Sequence, residues 1–247
     1  MKLRDDEIQV FAVGSRLHGT AMEDSDTDQL SVSIPPLRDI LGGRTNVATI
    51  RVDSDIGRNL SPNEMSTKTT VERTIVPLHK FVEGTMLVWG SYTDALFAPA
   101  AWIEGADVVG EFRELALRSG LPSKRLVSWV GSFAKTVSHL VRGLVPGEID
   151  RRNMKSCSVV VTRLISLREL IETGSIEFPL KRADRILEIK NMRSFGAGEF
   201  EELASEIDEL DRSVEALAVG LPDEPDLDAI RGFAERVYME RWNERGE

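Results

Sequence analysis

The chain has 247 residues, a formal net charge of −10 and one cysteine, Cys157. That length suits one large domain or two small ones and is enough to bury a core. It holds no apolar run of bilayer-spanning length and no possibility of an internal disulfide framework, and three histidines with one cysteine argue against a structural zinc site.

The first predicted strand is the apolar run Ile8, Val10, Phe11, Ala12, Val13. Gly14-Ser15 breaks it. Asp26-Thr27-Asp28 then opens a second, alternating run through Leu30, Val32 and Ile34. A strand period of two puts Asp26 and Asp28 on one face and Thr27 on the other. Two carboxylates held that close repel, and a divalent cation removes the conflict. Mg²⁺, or Mn²⁺ in its place, takes oxygen ligands and is commonly held by one or two carboxylates plus substrate phosphates. Gly14 has no Cβ, so its backbone can turn sharply and approach a ligand. Ser15 falls near a predicted helix start, where N–H groups favour an anion. Arg16 adds a fork of donors for phosphate.

The pattern apolar-Gly-Ser, ten residues, Asp-x-Asp resembles the DNA polymerase β-like nucleotidyltransferase superfamily. The fuller string GSRLHGTAMEDSDTDQ is similar to its bacterial and phage branch of predicted nucleotidyltransferases. The resemblance implies transfer of a nucleoside monophosphate from an NTP, release of pyrophosphate, and a third carboxylate on a later strand.

Pro35-Pro36 ends the second strand, because proline lacks the N–H a ladder needs. Leu37 to Leu41 reads as a short helix closed by Gly42-Gly43, and residues 45–52 as another strand. Asp53 to Lys68 is polar and reads as a long surface loop over the nucleotide. Thr69 to Val76 is rich in β-branched residues and reads as a strand with Glu72 in its middle. A carboxylate there is costly unless paired or metal-bound. The alternative puts Glu72 on a solvent face opposite Arg73 and Thr74. Asp53 and Asp55 are its rivals for the third position.

A helix from Pro77 to about Val88 follows. In the resembling family a carboxylate precedes a helix bearing a Leu-x-Lys-Phe-like string. Leu78-His79-Lys80-Phe81 matches that string, and Glu72 stands in the place of the usual Asp. Ser91 to Pro99 is similar to a family string ending in Phe-x-Pro, which there forms a short helix under the site. Trp89 and Trp102 read as core. Cys157, in an apolar stretch, reads as packing rather than nucleophile.

After Gly105 the periodicity is helical, through 107–118, 123–145, 153–173, 181–190, 200–219 and 227–242. The expected fold is α+β: a small mixed-sheet nucleotidyltransferase head over 1–105, then an all-helical C-terminal half over 106–247. From Leu121 to Phe195 there are 14 Lys and Arg against 7 Asp and Glu; from Glu199 to Glu247 there are 5 against 16. The basic block serves either to attract a polyanion or to neutralise acidic helices packed beside it. Lys155 matches a family lysine. Val159 and Thr162 stand where relatives carry a histidine and an arginine, which weakens the transfer of the family's substrate contacts to that helix.

The resemblance and the residues together predict a Mg²⁺- or Mn²⁺-dependent nucleotidyltransferase, cytoplasmic and with no membrane association. Asp26, Asp28 and Glu72 would be catalytic and hold metal. Gly14, Ser15, Arg16 and Lys155 would bind the nucleotide. An RNA 3′ end, a protein or a small molecule would accept the nucleotide. The alternatives are a catalytically silent fold that binds a nucleotide or partner, and a toxin–antitoxin-like protein modifier.

Overall fold

A computed structural model describes residues 5–23, 25–53, 70–100, 103–105, 107–144, 147–148, 150–192, 194–195 and 197–246. The polar stretch from Ser54 to Thr69 therefore lies outside the described residues, as do Asp24, Asp55 and Trp102. The chain forms two compact units.

The first unit comprises Met1–Met86, Gly90–Ser119 and Asp226–Glu247. Its strands are β1 (Glu7–Val13), β2 (Thr27–Ser33), β3 (Ala48–Asp53), β4 (Thr70–Pro77) and β5 (Ile103–Gly105). They form one sheet in the order β3-β4-β2-β1-β5. Only β2 and β4 run parallel; every other neighbouring pair is antiparallel. The three strands that carry the predicted site residues, β1, β2 and β4, are the three central ones.

The helices of this unit are α1 (Gly14–His18), α2 (Leu37–Leu41), α3 (Leu78–Leu87), α4 (Ser91–Phe97), α5 (Val108–Arg118) and, from the far end of the chain, α10 (Leu227–Arg245). An aromatic series joins sheet to helices. Phe11 on β1 stacks on Phe81 of α3 at 6.4 Å, Phe81 meets Phe112 of α5 at 5.9 Å, and Phe112 meets Phe233 of α10 at 5.5 Å. Such ring pairs add to simple area burial. Polar anchors fix α10 further: the Trp242 indole N–H donates to Pro35 O at 3.0 Å, and Arg245 Nη1 donates to Ile34 O at 2.9 Å. His79 Nδ1 and Tyr238 Oη lie 2.9 Å apart. Burial pushes the His79 imidazole below its ordinary value and the Tyr238 phenol up to about 12.

The second unit comprises Leu87–Trp89 and Gly120–Pro225. It contains α6 (Lys124–Arg142), α7 (Arg151–Thr173), α8 (Ala183–Asn191) and α9 (Ala197–Leu217). Ser123 and Asp150 cap α6 and α7 with side-chain acceptors, each contact of a type that stabilises by about 1 kcal/mol. Helices dominate beyond Asp107, as expected. The half is not all-helical, however: β6 (Gly147–Glu148) and β7 (Ser194–Phe195) pair as a two-residue ribbon. So short a ribbon has no alternation to read.

The units also differ from a single cut between residues 105 and 106. α5 and α10 belong with the sheet rather than with the other helices. Their apolar stripes announce a buried face without naming its partner.

Much of the basic block is spent inside the second unit. Lys135 pairs with Glu215, Arg142 with Asp208 and Glu201, and Arg182 and Arg185 with Glu206. These pairs match the neutralising reading of the basic and acidic stretches. No helix of the described residues is long and apolar enough to cross a membrane.

Candidate active site

β1 ends at Val13, and Gly14 turns the chain with φ +71°, a left-handed value that favours glycine. A second constraint acts at the same place. A Cβ on Gly14 would fall on the Asp28 carboxylate oxygen Oδ2. The Asp28 side chain therefore packs against the turn at Gly14, where a side chain would not fit.

α1 is a single short turn, closed by Gly19 at φ +76°. So brief a helix gathers little macrodipole, and any anion binding at Ser15 rests on local N–H groups. The loop after it is tied to itself. Thr20 N donates to Ser15 O at 2.8 Å, and Met22 N donates to Ser25 Oγ at 2.8 Å. Arg16 Nη2 donates to Ser25 O at 2.8 Å. One arm of the predicted phosphate ligand thus serves to hold the loop that delivers Asp26.

Asp26 precedes β2 and is exposed, and Asp28 is half-buried on the strand. Across the parallel pair, Asp28 is in register with Glu72 of β4. Residues in register on adjacent strands project from the same face. Glu72 is half-buried and shares the Asp28 face, whereas its neighbour Arg73 points to the other face and is 1% exposed. Arg73 donates to Glu7 Oε2 at 2.9 Å and to Gln29 Oε1 at 3.0 Å. The arginine takes the buried side of the sheet, and Glu72 lies opposite it on the more open face.

Among the described residues, no group of three or more acidic, histidine or cysteine side chains is gathered closely enough to hold a metal ion. The donor set nevertheless suits a hard cation. It is all oxygen, and two of its members are neighbours in register beside a glycine with no side chain. Of the rivals, Asp53 ends β3, and Asp55 lies outside the described residues.

Lys155 does not belong to the unit that holds the other predicted site residues. It is exposed on the second turn of α7, in the second unit. Val159 is half-buried there, and Thr162 is buried with its hydroxyl donating to Ser158 O at 2.7 Å. Neither offers a ligand group. Cys157 is fully buried, and burial pushes its thiol up to about 12, which suits packing and not nucleophilic attack.

Sequence reasoning missed one pair. His18 Nε2 lies 3.1 Å from Asp94 Oδ2, with both side chains largely buried. It joins the last residue of α1 to α4. His18 sits inside the Gly-Ser string and Asp94 inside the string ending in Phe-x-Pro, yet the pair spans too many residues for spacing to reveal it.

No protein-family model matches the chain, and no curated protein matches it.

Proposed function

We propose that the protein is a metal-dependent nucleotidyltransferase of the DNA polymerase β-like type. The observation that carries this reading is the in-register pairing of Asp28 with Glu72, on one sheet face beside the side-chain-free Gly14. A Mg²⁺ or Mn²⁺ ion held by Asp26, Asp28 and Glu72 would neutralise the NTP phosphates.

The chain's own residues do the positioning. The Gly14-Ser15 turn presents backbone N–H groups to the β- and γ-phosphates. Arg16 keeps the loop closed through Ser25 and has further N–H groups to offer. Glu72 orients the acceptor hydroxyl and takes its proton as the oxygen attacks the α-phosphorus. The bond from that phosphorus to the β-phosphate oxygen breaks, and pyrophosphate leaves. The acceptor is an RNA end, a protein or a small molecule. A reducing cytoplasm suits a protein whose one thiol is buried.

The test is to incubate the protein with each labelled NTP, Mg²⁺ or Mn²⁺, and cell RNA or lysate. Label on a discrete acceptor, lost in Asp28→Asn, supports transfer. A second reading, nucleotide binding without turnover, draws on Val159 and Thr162, which offer no ligand group at their positions on α7. Metal-dependent NTP binding with no labelled product under any condition would select it.

A further inference from the structure

α6, and α7 as far as Arg168, contain no Asp or Glu at all. Most cations of α6 are already engaged: Lys124 with Asp223, Arg125 with Glu224, Lys135 with Glu215 and Arg142 with Asp208. Those of α7 differ. Arg152 and Lys155 are exposed and form no ion pair among the described residues. The nearest acid in sequence, Asp150, turns its carboxylate to the backbone N–H of Arg152 at 2.9 Å.

Arg152, Lys155, Val159 and Arg163 follow one another at spacings of three and four, so they share one face of α7. Trp129, Phe133, Thr136 and Leu140 do the same on α6, which packs against α7. The two stripes meet where the Arg163 guanidinium lies over the rings of Trp129, at 5.1 Å, and Phe133, at 5.0 Å. Trp129 remains 36% exposed and Leu140 42%. The face thus combines an accessible indole, a guanidinium held flat by two rings, and two further cations, with no carboxylate on either helix surface there.

We propose that this α6–α7 face binds single-stranded polynucleotide, with Arg152 and Lys155 taking phosphates and Trp129 offering its ring to an unpaired base. Base–aromatic stacking needs a base free of its duplex, and it tolerates any sequence. Lys155 lies two turns of α7, about 12 Å along the helix axis, from Arg163, where the Trp129 ring sits, a span that favours an extended strand over a compact anion. Part of the acidic total charge is offset in pairs: Glu201, Glu206, Asp208 and Glu215 of α9 engage Arg142, Arg185 and Lys135. The proposal stands whether or not the sheet unit transfers nucleotides.

The test uses the full chain, with neither NTP nor metal, and labelled oligouridylate or oligothymidylate read by fluorescence anisotropy. Binding at low salt is expected, accompanied by quenching of indole emission. Affinity should fall with salt, and Arg152→Gln and Lys155→Gln should each make that slope shallower by about 0.7, the value for one phosphate neutralised on a single strand. Trp129→Leu should weaken binding by roughly 5- to 100-fold while leaving the salt slope unchanged. Circular dichroism confirms that each variant keeps its helices. A preference between the two oligonucleotides identifies the sugar and supports the proposal either way. No binding at low salt, equal affinity for blunt duplex or polyglutamate, or unchanged affinity in Trp129→Leu would overturn it.

Discussion

The Asp28 carboxylate fills the space that a side chain at position 14 would occupy. Gly14 is thus constrained twice, by its positive φ and by the acid across from it. The first prediction follows. Gly14→Ala costs about 1–2 kcal/mol for the left-handed backbone alone, and it also displaces Asp28. Thermal unfolding should shift down by roughly 2–8 °C, and nucleotide transfer should be lost even where the protein remains folded. An alanine variant with wild-type melting and transfer would refute this double constraint.

The second prediction concerns the metal. Asp26→Asn combined with Asp28→Asn removes two charged oxygens and leaves the size of the side chains unchanged. Mn²⁺ binding, followed by titration, should disappear while the circular dichroism spectrum is preserved. Undiminished Mn²⁺ affinity in the double variant would move the metal away from these residues.

The outlines of this sheet were legible in the sequence. β1, β2 and β4 fall where alternation and the Pro35-Pro36 stop put them, because those signals are local. The Asp28–Glu72 register was not readable, since strand pairing is fixed by contacts distant along the chain. Arg73 shows the limit of residue type as a guide. A charged side chain in a strand suggests a solvent face, yet Glu7 and Gln29 make its burial tolerable. α10 shows the limit of periodicity, which marked its apolar stripe but not that Phe112 would meet Phe233, or that Pro35 and Ile34 would accept hydrogen bonds from Trp242 and Arg245. Lys155 was chosen by resemblance alone, and no local signal could place it in one unit or the other.

The third prediction concerns Glu72. Glu72→Gln keeps the side-chain length and removes the charge. If Glu72 has its proposed role of orienting the acceptor and taking a proton, the loss should fall on kcat, with NTP binding largely intact. A Gln variant with full kcat would return the third position to Asp53 or Asp55, or leave the protein without one.

The fourth prediction tests the buried pair beneath the sheet. Removing one member of a buried ion pair leaves its partner charged and uncompensated, at a cost of about 3–5 kcal/mol. Arg73→Met should therefore destabilise the protein strongly, and Glu7→Gln added to it should recover part of the loss. A double-mutant cycle in denaturant measures that coupling. Strictly additive effects would show that Arg73 acts through packing and not through Glu7.

The last prediction lies in the second unit, at Asp211 of α9. This side chain is 4% exposed, and its Oδ1 has no hydrogen-bond partner among the described residues. Gly131 on α6 leaves room for it: a Cβ there would come within 2.9 Å of Oδ1. Burial raises the Asp211 carboxyl above its ordinary value, with Glu215 and Asp208 adding to the rise and Lys135 opposing it. In the window between the ordinary and the raised value, the folded state binds more protons than the unfolded state. Stability therefore falls as pH rises through that window, and the full cost persists above the raised value. Asp211→Asn removes the charge, so it should melt higher than the parent protein at neutral pH. The advantage should shrink as pH falls toward the ordinary carboxylate value of 3.8, where the parent is itself protonated. Melting curves of both proteins across that range test the sign. An advantage that is constant with pH, or a destabilised Asn variant at neutral pH, would mean that Asp211 is held by compensating contacts and carries no buried charge penalty.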